Sequence, residues 1–190
     1  MNIVYKDIIL RDRTYEDLKD YIDWYTVETE WQDWDAPWEK EDNVSIEKLR
    51  EGILRSIERP LPNIRRRLEI CYKNGEHIGW MNSYYIAGNI NKLATGIDIP
   101  CREYRGKGLG EQAFKTFSIY LIKNLRLNEL YTETWSGNQR MIALAVKCGY
   151  RLNWVDKDYR VVNGKYVDGL ELKLRAEHII KNNKELFNLL

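Results

Sequence analysis

The chain has 190 residues, a net charge of +1, 44% hydrophobic and 31% charged side chains. This length reads as one domain over 1–190 that buries a sizeable core. The charge balance argues against nucleic-acid or anionic-membrane binding through bulk electrostatics, and no apolar run reaches the ~18 residues of a membrane span. Cys71, Cys101 and Cys148 form neither a disulfide framework nor a CxxC knuckle, and His77 and His178 are too few for a His-rich metal site or a Ser-His-Asp triad. No metal is therefore expected. The N-terminus is charged and unlike a signal peptide, and the expected setting is cytoplasmic. Seven Trp and thirteen Tyr accompany three Phe; such rings suit either a Trp-rich core or pocket walls.

Residues 8–10 predict a short first strand. Thr14 reads as an N-cap with Glu16 and Asp17 in the next turn, and Leu18, Tyr21, Ile22 and Tyr25 follow at helical spacing. Over 26–43 the periodicity fails, and Pro37 with dense charge predicts an irregular excursion. Ser45 caps a second helix with the apolar stripe Ile46, Leu49, Ile53, Leu54 and Ile57, ended by Pro60 and Pro62. Strands are predicted over 67–72 and 77–85 around an Asn74-Gly75 turn, and over 93–99 up to Pro100. A loop over 101–107 leads into a helix over 108–123 with Ala113, Phe114, Phe117, Tyr120 and Leu121 inward. A strand over 129–135 and a helix over 138–148, ended by Gly149, come next. Strands over 150–156 and 166–174 flank an Asn163-Gly164 turn, with 158–162 also paired, and a short charged helix closes the chain. The order mixes hairpins with β-α-β crossovers. It implies an α/β (α+β) fold, with a mixed sheet and helices on both faces.

The segment Arg105-Gly106-Lys107-Gly108-Leu109-Gly110 lies between a strand and a helix. Free N–H groups and the helix dipole favour an anion there, and the glycines remove the Cβ atoms that would block a phosphate. A Walker loop requires GxxxxGK[ST] and a Rossmann turn GxGxxG after the first strand, and neither pattern is present. The remaining local alternative is a glycine-rich helix entry without a ligand.

Arg105, Gly108 and Gly110 resemble the [Arg/Gln]-x-x-Gly-x-[Gly/Ala] pyrophosphate loop of GNAT acetyltransferases. Asn138 through Gly149-Tyr150 resembles that family's Asn-x-x-Ala…Lys-x-Gly-[Phe/Tyr] helix, one helix and one strand downstream. The tail over 164–169 is similar to the RimJ/RimL and spermidine-acetyltransferase branch. The resemblance implies a largely antiparallel sheet with splayed strands, and acetyl-CoA or CoA as cofactor. Ile97, Asp98 and Ile99 would pair with the pantetheine arm, N–H groups of Arg105, Gly106, Lys107, Gly108, Leu109 and Gly110 would hold the pyrophosphate, and Asn138 would touch the arm. Asn138 reads equally as a helix N-cap.

The resemblance further implies N-acetylation by direct transfer to a primary amine. The acceptor is a small molecule or a peptide: a protein N-terminus, a polyamine, an aminoglycoside-like compound or another amine. A homodimer is compatible with it. The usual tyrosine acid falls at Ala145, which leaves Tyr131, Tyr150, Cys148 or water, and makes a non-catalytic CoA-binding sensor or scaffold the alternative. Glu133 and Asp98 are the candidate bases, although either could be a solvated or paired strand residue. Trp31, Asp33, Trp34, Asp35 and Trp38 form a candidate cation receptor for the acceptor, or else an acidic loop with its indoles tucked inward. The Arg65-Arg66-Arg67 run reads as a strand entry.

Overall fold

The computed structural model describes residues 1–40 and 44–190. It holds an eight-stranded sheet in the order β1-β2-β3-β4-β5-β6-β8-β7. The strands are β1 (Asn2–Tyr5), β2 (Ile8–Arg11), β3 (Arg67–Tyr72), β4 (His77–Tyr85), β5 (Leu93–Asp98), β6 (Glu129–Trp135), β7 (Arg151–Val162) and β8 (Lys165–Arg175). Every neighbouring pair is antiparallel except β5 with β6. The helices are α1 (Leu18–Thr26), α2 (Ile46–Glu58), α3 (Leu109–Leu125), α4 (Gln139–Lys147), α5 (Ala176–Asn182) and α6 (Lys184–Leu189). The mixed, mostly antiparallel sheet with helices thus matches the predicted class.

The two faces carry different cores. Phe114, Phe117 and Leu121 of α3 join Ile70, Met81, Leu130, Leu174 and Ile179 in the larger one. On the other, Tyr21 and Trp24 of α1, Ile53 of α2, Trp31 and Trp80 form an aromatic layer. Trp31 donates from its indole N–H to the Trp24 carbonyl, so the buried ring keeps its hydrogen bond. The tryptophans therefore divide: Trp24, Trp31 and Trp80 are core, while Trp154 is 66% exposed.

Predicted caps behave as their chemistry requires. Ser45 Oγ accepts from the Lys48 N–H and Asn138 Oδ1 from the Met141 N–H. Gly149, at φ +95°, ends α4, and Asn163 and Gly164 both take positive φ between β7 and β8.

Three expectations change. The sheet begins one strand earlier, because β1 is short and pairs with β2 over a turn at Lys6; of its residues only Ile3 is buried, too little for an alternation signal. The excursion contains two 3-10 turns, Thr29–Asp33 and Pro37–Glu39, while its last residues, 41–43, lie outside the described residues. The C-terminal helix is two, α5 and α6, separated at Asn183.

Candidate active site

The parallel strands β5 and β6 share a single register pair, Ala94 opposite Tyr131, before they diverge. Thr132 closes the narrow end of the gap by donating its hydroxyl to the Thr95 carbonyl at 2.8 Å. Beyond it opens a cleft of about 630 Å³. Gly96, Ile97, Asp98 and Ile99 line one wall, and Glu133, Thr134, Asn138, Met141 and Leu144 the other. Divergence leaves the β5 edge without its strand partner, so its backbone groups require a ligand or water.

The glycine loop stands at one mouth of this cleft. Gly106 and Gly108 take φ +74° and +78°, and Gly108 is the N-cap of α3. Left-handed residues alternating with ordinary ones turn successive N–H groups toward one side, which suits an anion. Arg105, Gly106, Gly108 and Gly110 line the cleft. Leu109 buries its side chain in the core, so it can offer only its backbone. Lys107 is not among the lining residues and packs its ammonium over Tyr104. Arg105 is largely engaged by protein: Nε donates to the Ile99 carbonyl at 2.7 Å, another guanidinium nitrogen to the Pro100 carbonyl, and a third to Glu30. It braces the loop against the end of β5. Arg102 and Lys147 line the same region. Lys147 is the lysine of the Lys-x-Gly-Tyr end of the α4 motif, whereas Arg102, an isolated basic residue in a loop, carries no local signal.

On the opposite side stand the carboxylates. Trp31, Trp34, Asp35, Asp98 and Glu133 all line the cleft. Asp98 is opposite Trp80 in the β4–β5 register, and so projects on the α1/α2 face. Its backbone passes close to β4, where a Cβ on Gly79 would meet the Asp98 carbonyl oxygen at 2.0 Å. Burial raises the Asp98 pKa well above the usual carboxylate range, and the Asp35 carboxylate raises it further, against the Arg67 guanidinium and a hydrogen bond from Trp80. Asp35 is itself raised by burial and by Glu39. Two facing carboxylates resist simultaneous ionisation, and Asp98 is the one that keeps its proton longer. Burial also raises Glu133, opposed by a hydrogen bond from Tyr84. Asp35 and Glu133 have exposed surface, yet they sit in a concave wall where protein atoms displace much of the surrounding water.

The segment bearing Asp35 is strapped to the sheet. Asn138 Nδ2 donates to the Trp34 carbonyl at 2.6 Å, and Trp135 Nε1 lies 3.0 and 3.1 Å from the Trp34 and Asp35 carbonyls. Trp38 packs edge-on against Trp135 and Tyr159, outside the cleft lining. Asp33 does not reach the cleft either; it is exposed and pairs with Lys40. Asn138 is therefore an N-cap and a clamp at once.

The alternatives to the missing tyrosine lie elsewhere. Ala145 and Tyr150 are fully buried in the larger core, with the Tyr150 hydroxyl 2.9 Å from Ser118. Cys148 is buried beside them, and Tyr131 donates to Glu129. None of the four lines the cleft. The arginine run is absorbed by protein: Arg65 pairs with Asp12, Arg66 with Ser83, and Arg67 with Tyr21 and Glu69.

A second polar cluster lies under α1. His77 bridges Asp20 at 3.0 Å and Glu69 at 3.1 Å, and Arg13 pairs with Glu69. Asp17, Asp20 and His77 place one ligand-capable atom each within 4.8 Å of one another. Their lone pairs already have partners, since Arg11 grips Asp17 at both oxygens. The cluster is an ion-pair network joining α1 to β3 and β4.

The sequence matches the acetyltransferase (GNAT) domain family over residues 7–151. The chain belongs to this family of N-acetyltransferases. Among solved structures it resembles a GNAT-family acetyltransferase from Bacillus anthracis, at 13% identity, 93% and 99% coverage of the two chains and a TM-score of 0.74. A spermidine N-acetyltransferase from Vibrio cholerae, solved with CoA and spermine, superposes with a TM-score of 0.73 at 20% identity and 92% and 98% coverage. RimL, a ribosomal alpha-N-protein acetyltransferase solved with coenzyme A, gives 0.72 at 15% identity and 91% and 96% coverage. No curated protein matches the sequence significantly. Among the described residues no helix is long and apolar enough to cross a membrane.

Proposed function

We propose that this chain transfers an acetyl group from acetyl-CoA directly to a primary amine held on the Asp35–Asp98 side of the cleft. The observation that carries this reading is that one cleft is lined both by the glycine loop at the start of α3 and by the carboxylates Asp35, Asp98 and Glu133. The pyrophosphate would lie against N–H groups at the start of α3, and the pantetheine arm along the unpaired edge of β5. A backbone N–H near Ile97 to Ile99 would polarise the thioester carbonyl.

The acceptor arrives as an ammonium and must lose a proton before attack. Trp31 offers aromatic surface and Asp35 a charge to hold the cation, while one face of Trp34 is already covered by the Arg140 guanidinium at 4.0 Å. Asp98, with its raised proton affinity, is the base; Glu133, farther along the same face, is the second carboxylate. The acceptor class is a cationic small molecule or a peptide amine. The testing experiment is thiol release from acetyl-CoA over a panel of primary amines, with coenzyme A binding measured by calorimetry. Release with at least one amine is the expected result. Tight coenzyme A binding without release by any amine would favour the non-catalytic sensor.

A further inference from the structure

Thr134 stands where the missing acid leaves work undone. The register pair Ala94–Tyr131 sets Thr95 level with Thr132 and Ile97 level with Thr134. Where the strands are close, the Thr132 hydroxyl reaches across to the Thr95 carbonyl. Two residues further, on the same face of β6, Thr134 lies past the point where the strands part and lines the cleft that opens there. Its Oγ1 is buried and has no hydrogen-bond partner among the described residues, and Thr134 lines the cleft. A buried hydroxyl left unpaired is costly, which implies that a ligand completes it.

Which part of the ligand follows from direction. A pyrophosphate held at the α3 N-terminus would occupy the wide mouth. The pantetheine arm would then follow β5 toward the narrow end that Thr132 closes, and the thioester at the end of that arm would come to Thr134. We propose that Thr134 Oγ1 donates a hydrogen bond to the thioester sulfur and stabilises the departing thiolate, the task for which Ala145 offers no hydroxyl.

This inference rests on the acetyltransferase reading above. In the step, the neutral amine forms the C–N bond at the thioester carbonyl, and the C–S bond breaks with its electron pair on sulfur. The nitrogen's remaining surplus proton passes through solvent to sulfur, giving amide and free thiol. Thr134 keeps its own proton throughout.

The test compares Thr134→Val, which keeps the shape and removes the hydroxyl, with Thr134→Ser, which restores it. First, the thiol of coenzyme A in the binary complex is titrated by its ultraviolet thiolate absorbance. Well below the thiol's pKa, wild type should show about a tenfold larger thiolate fraction than Thr134→Val at the same pH. Second, kcat should fall by about tenfold to a hundredfold in Thr134→Val, with little change in the acceptor KM and with substantial recovery in Thr134→Ser. Third, without cofactor Thr134→Val should melt no lower than wild type, since it deletes an unpaired buried hydroxyl, yet coenzyme A should raise its melting temperature less. An unchanged thiolate fraction and kcat in Thr134→Val, while wild type binds coenzyme A and acetylates an amine, would overturn the role of Thr134 and leave the acetyltransferase reading standing. Failure of wild type to bind coenzyme A would overturn both. Binding without amine turnover would sink the transfer reading alone, and the thiolate titration would still decide Thr134.

Discussion

At the scale of single residues, the decisive pair is Asp35 and Asp98. A base must be ionised, so turnover at low acceptor concentration should rise with pH through the elevated Asp98 pKa. Asp98→Asn should remove that rising limb and lower kcat/KM by about a hundredfold, within the usual range for a general base. Asp35→Asn should move the limb to lower pH, because it deletes the neighbouring negative charge that disfavours ionisation of Asp98. A pH–rate profile of each variant checks the sign, and a limb that stays in place in Asp35→Asn contradicts the pairing. Gly108 supplies a second test. Its φ of +78° is strained for any β-branched residue, although a Cβ there would meet no atom of the protein. Gly108→Val should therefore act through the loop backbone and weaken coenzyme A by tenfold or more, about 1.4 kcal/mol, as read by calorimetry. The glycine turn at the start of α3 was legible because spacing alone encodes it. The opposition of Asp35 to Asp98 was not, since the two residues belong to elements whose meeting depends on the aromatic layer beneath α1.

At the scale of elements, the segment proposed to hold the acceptor owes its position to Asn138. Asn138→Asp keeps an oxygen to cap α4, in a position the helix dipole favours, and removes the donor that holds the Trp34 carbonyl. Melting should stay close to wild type while the acceptor KM rises threefold or more, with coenzyme A affinity nearly constant. Asn138→Ala should in addition lose about 1 kcal/mol of stability with the cap. Within the segment, Asp33 and Asp35 should separate cleanly. Asp35→Asn should raise the acceptor KM, whereas Asp33→Asn should leave it alone, because Asp33 pairs with Lys40 at the surface. Equal effects from the two would return the whole stretch to a diffuse acidic field. Sequence treats these two aspartates alike; a 3-10 turn over 29–33 followed by the clamp at Trp34 is what sends them to different places.

At the scale of the whole molecule, the His77 network ties α1 to the sheet and makes stability depend on pH. Burial works against both charged partners, yet hydrogen bonds to Asp20 and Glu69 raise the His77 pKa, and contacts with His77, Arg13 and Arg67 lower Glu69 to about 2. A histidine raised in the folded state contributes fully below its ordinary value of about 6.5 and loses that contribution as pH climbs through the folded value. Glu69 has the opposite sign, contributing above about 4.5 and losing it as pH falls toward 2. The melting temperature should therefore decline above pH ~6.5 and again on acidification below about 4.5, and His77→Gln should flatten the upper decline. A pH-melting series on both proteins measures this; identical slopes would remove His77 from the account.

What the sequence determined by itself is whatever depends on near neighbours in the chain. The amphipathic stripe of α3, the caps at Ser45 and Asn138, the turn at Asn163-Gly164 and the glycine loop over 105–110 are all set by spacing, local hydrogen bonding and allowed backbone angles. These also placed the chain in its family, through two motifs in the right order. The tertiary structure alone decided which of several similar groups face one another. It took Tyr131, Tyr150 and Cys148 away from the cleft and into cores or hydrogen bonds. It set Asp98 against Asp35, turned Asp33 outward, and left the Thr134 hydroxyl without a partner where β5 and β6 part. Each of those outcomes depends on strand register, divergence and burial between residues far apart in the chain, and such distances leave no mark on local periodicity.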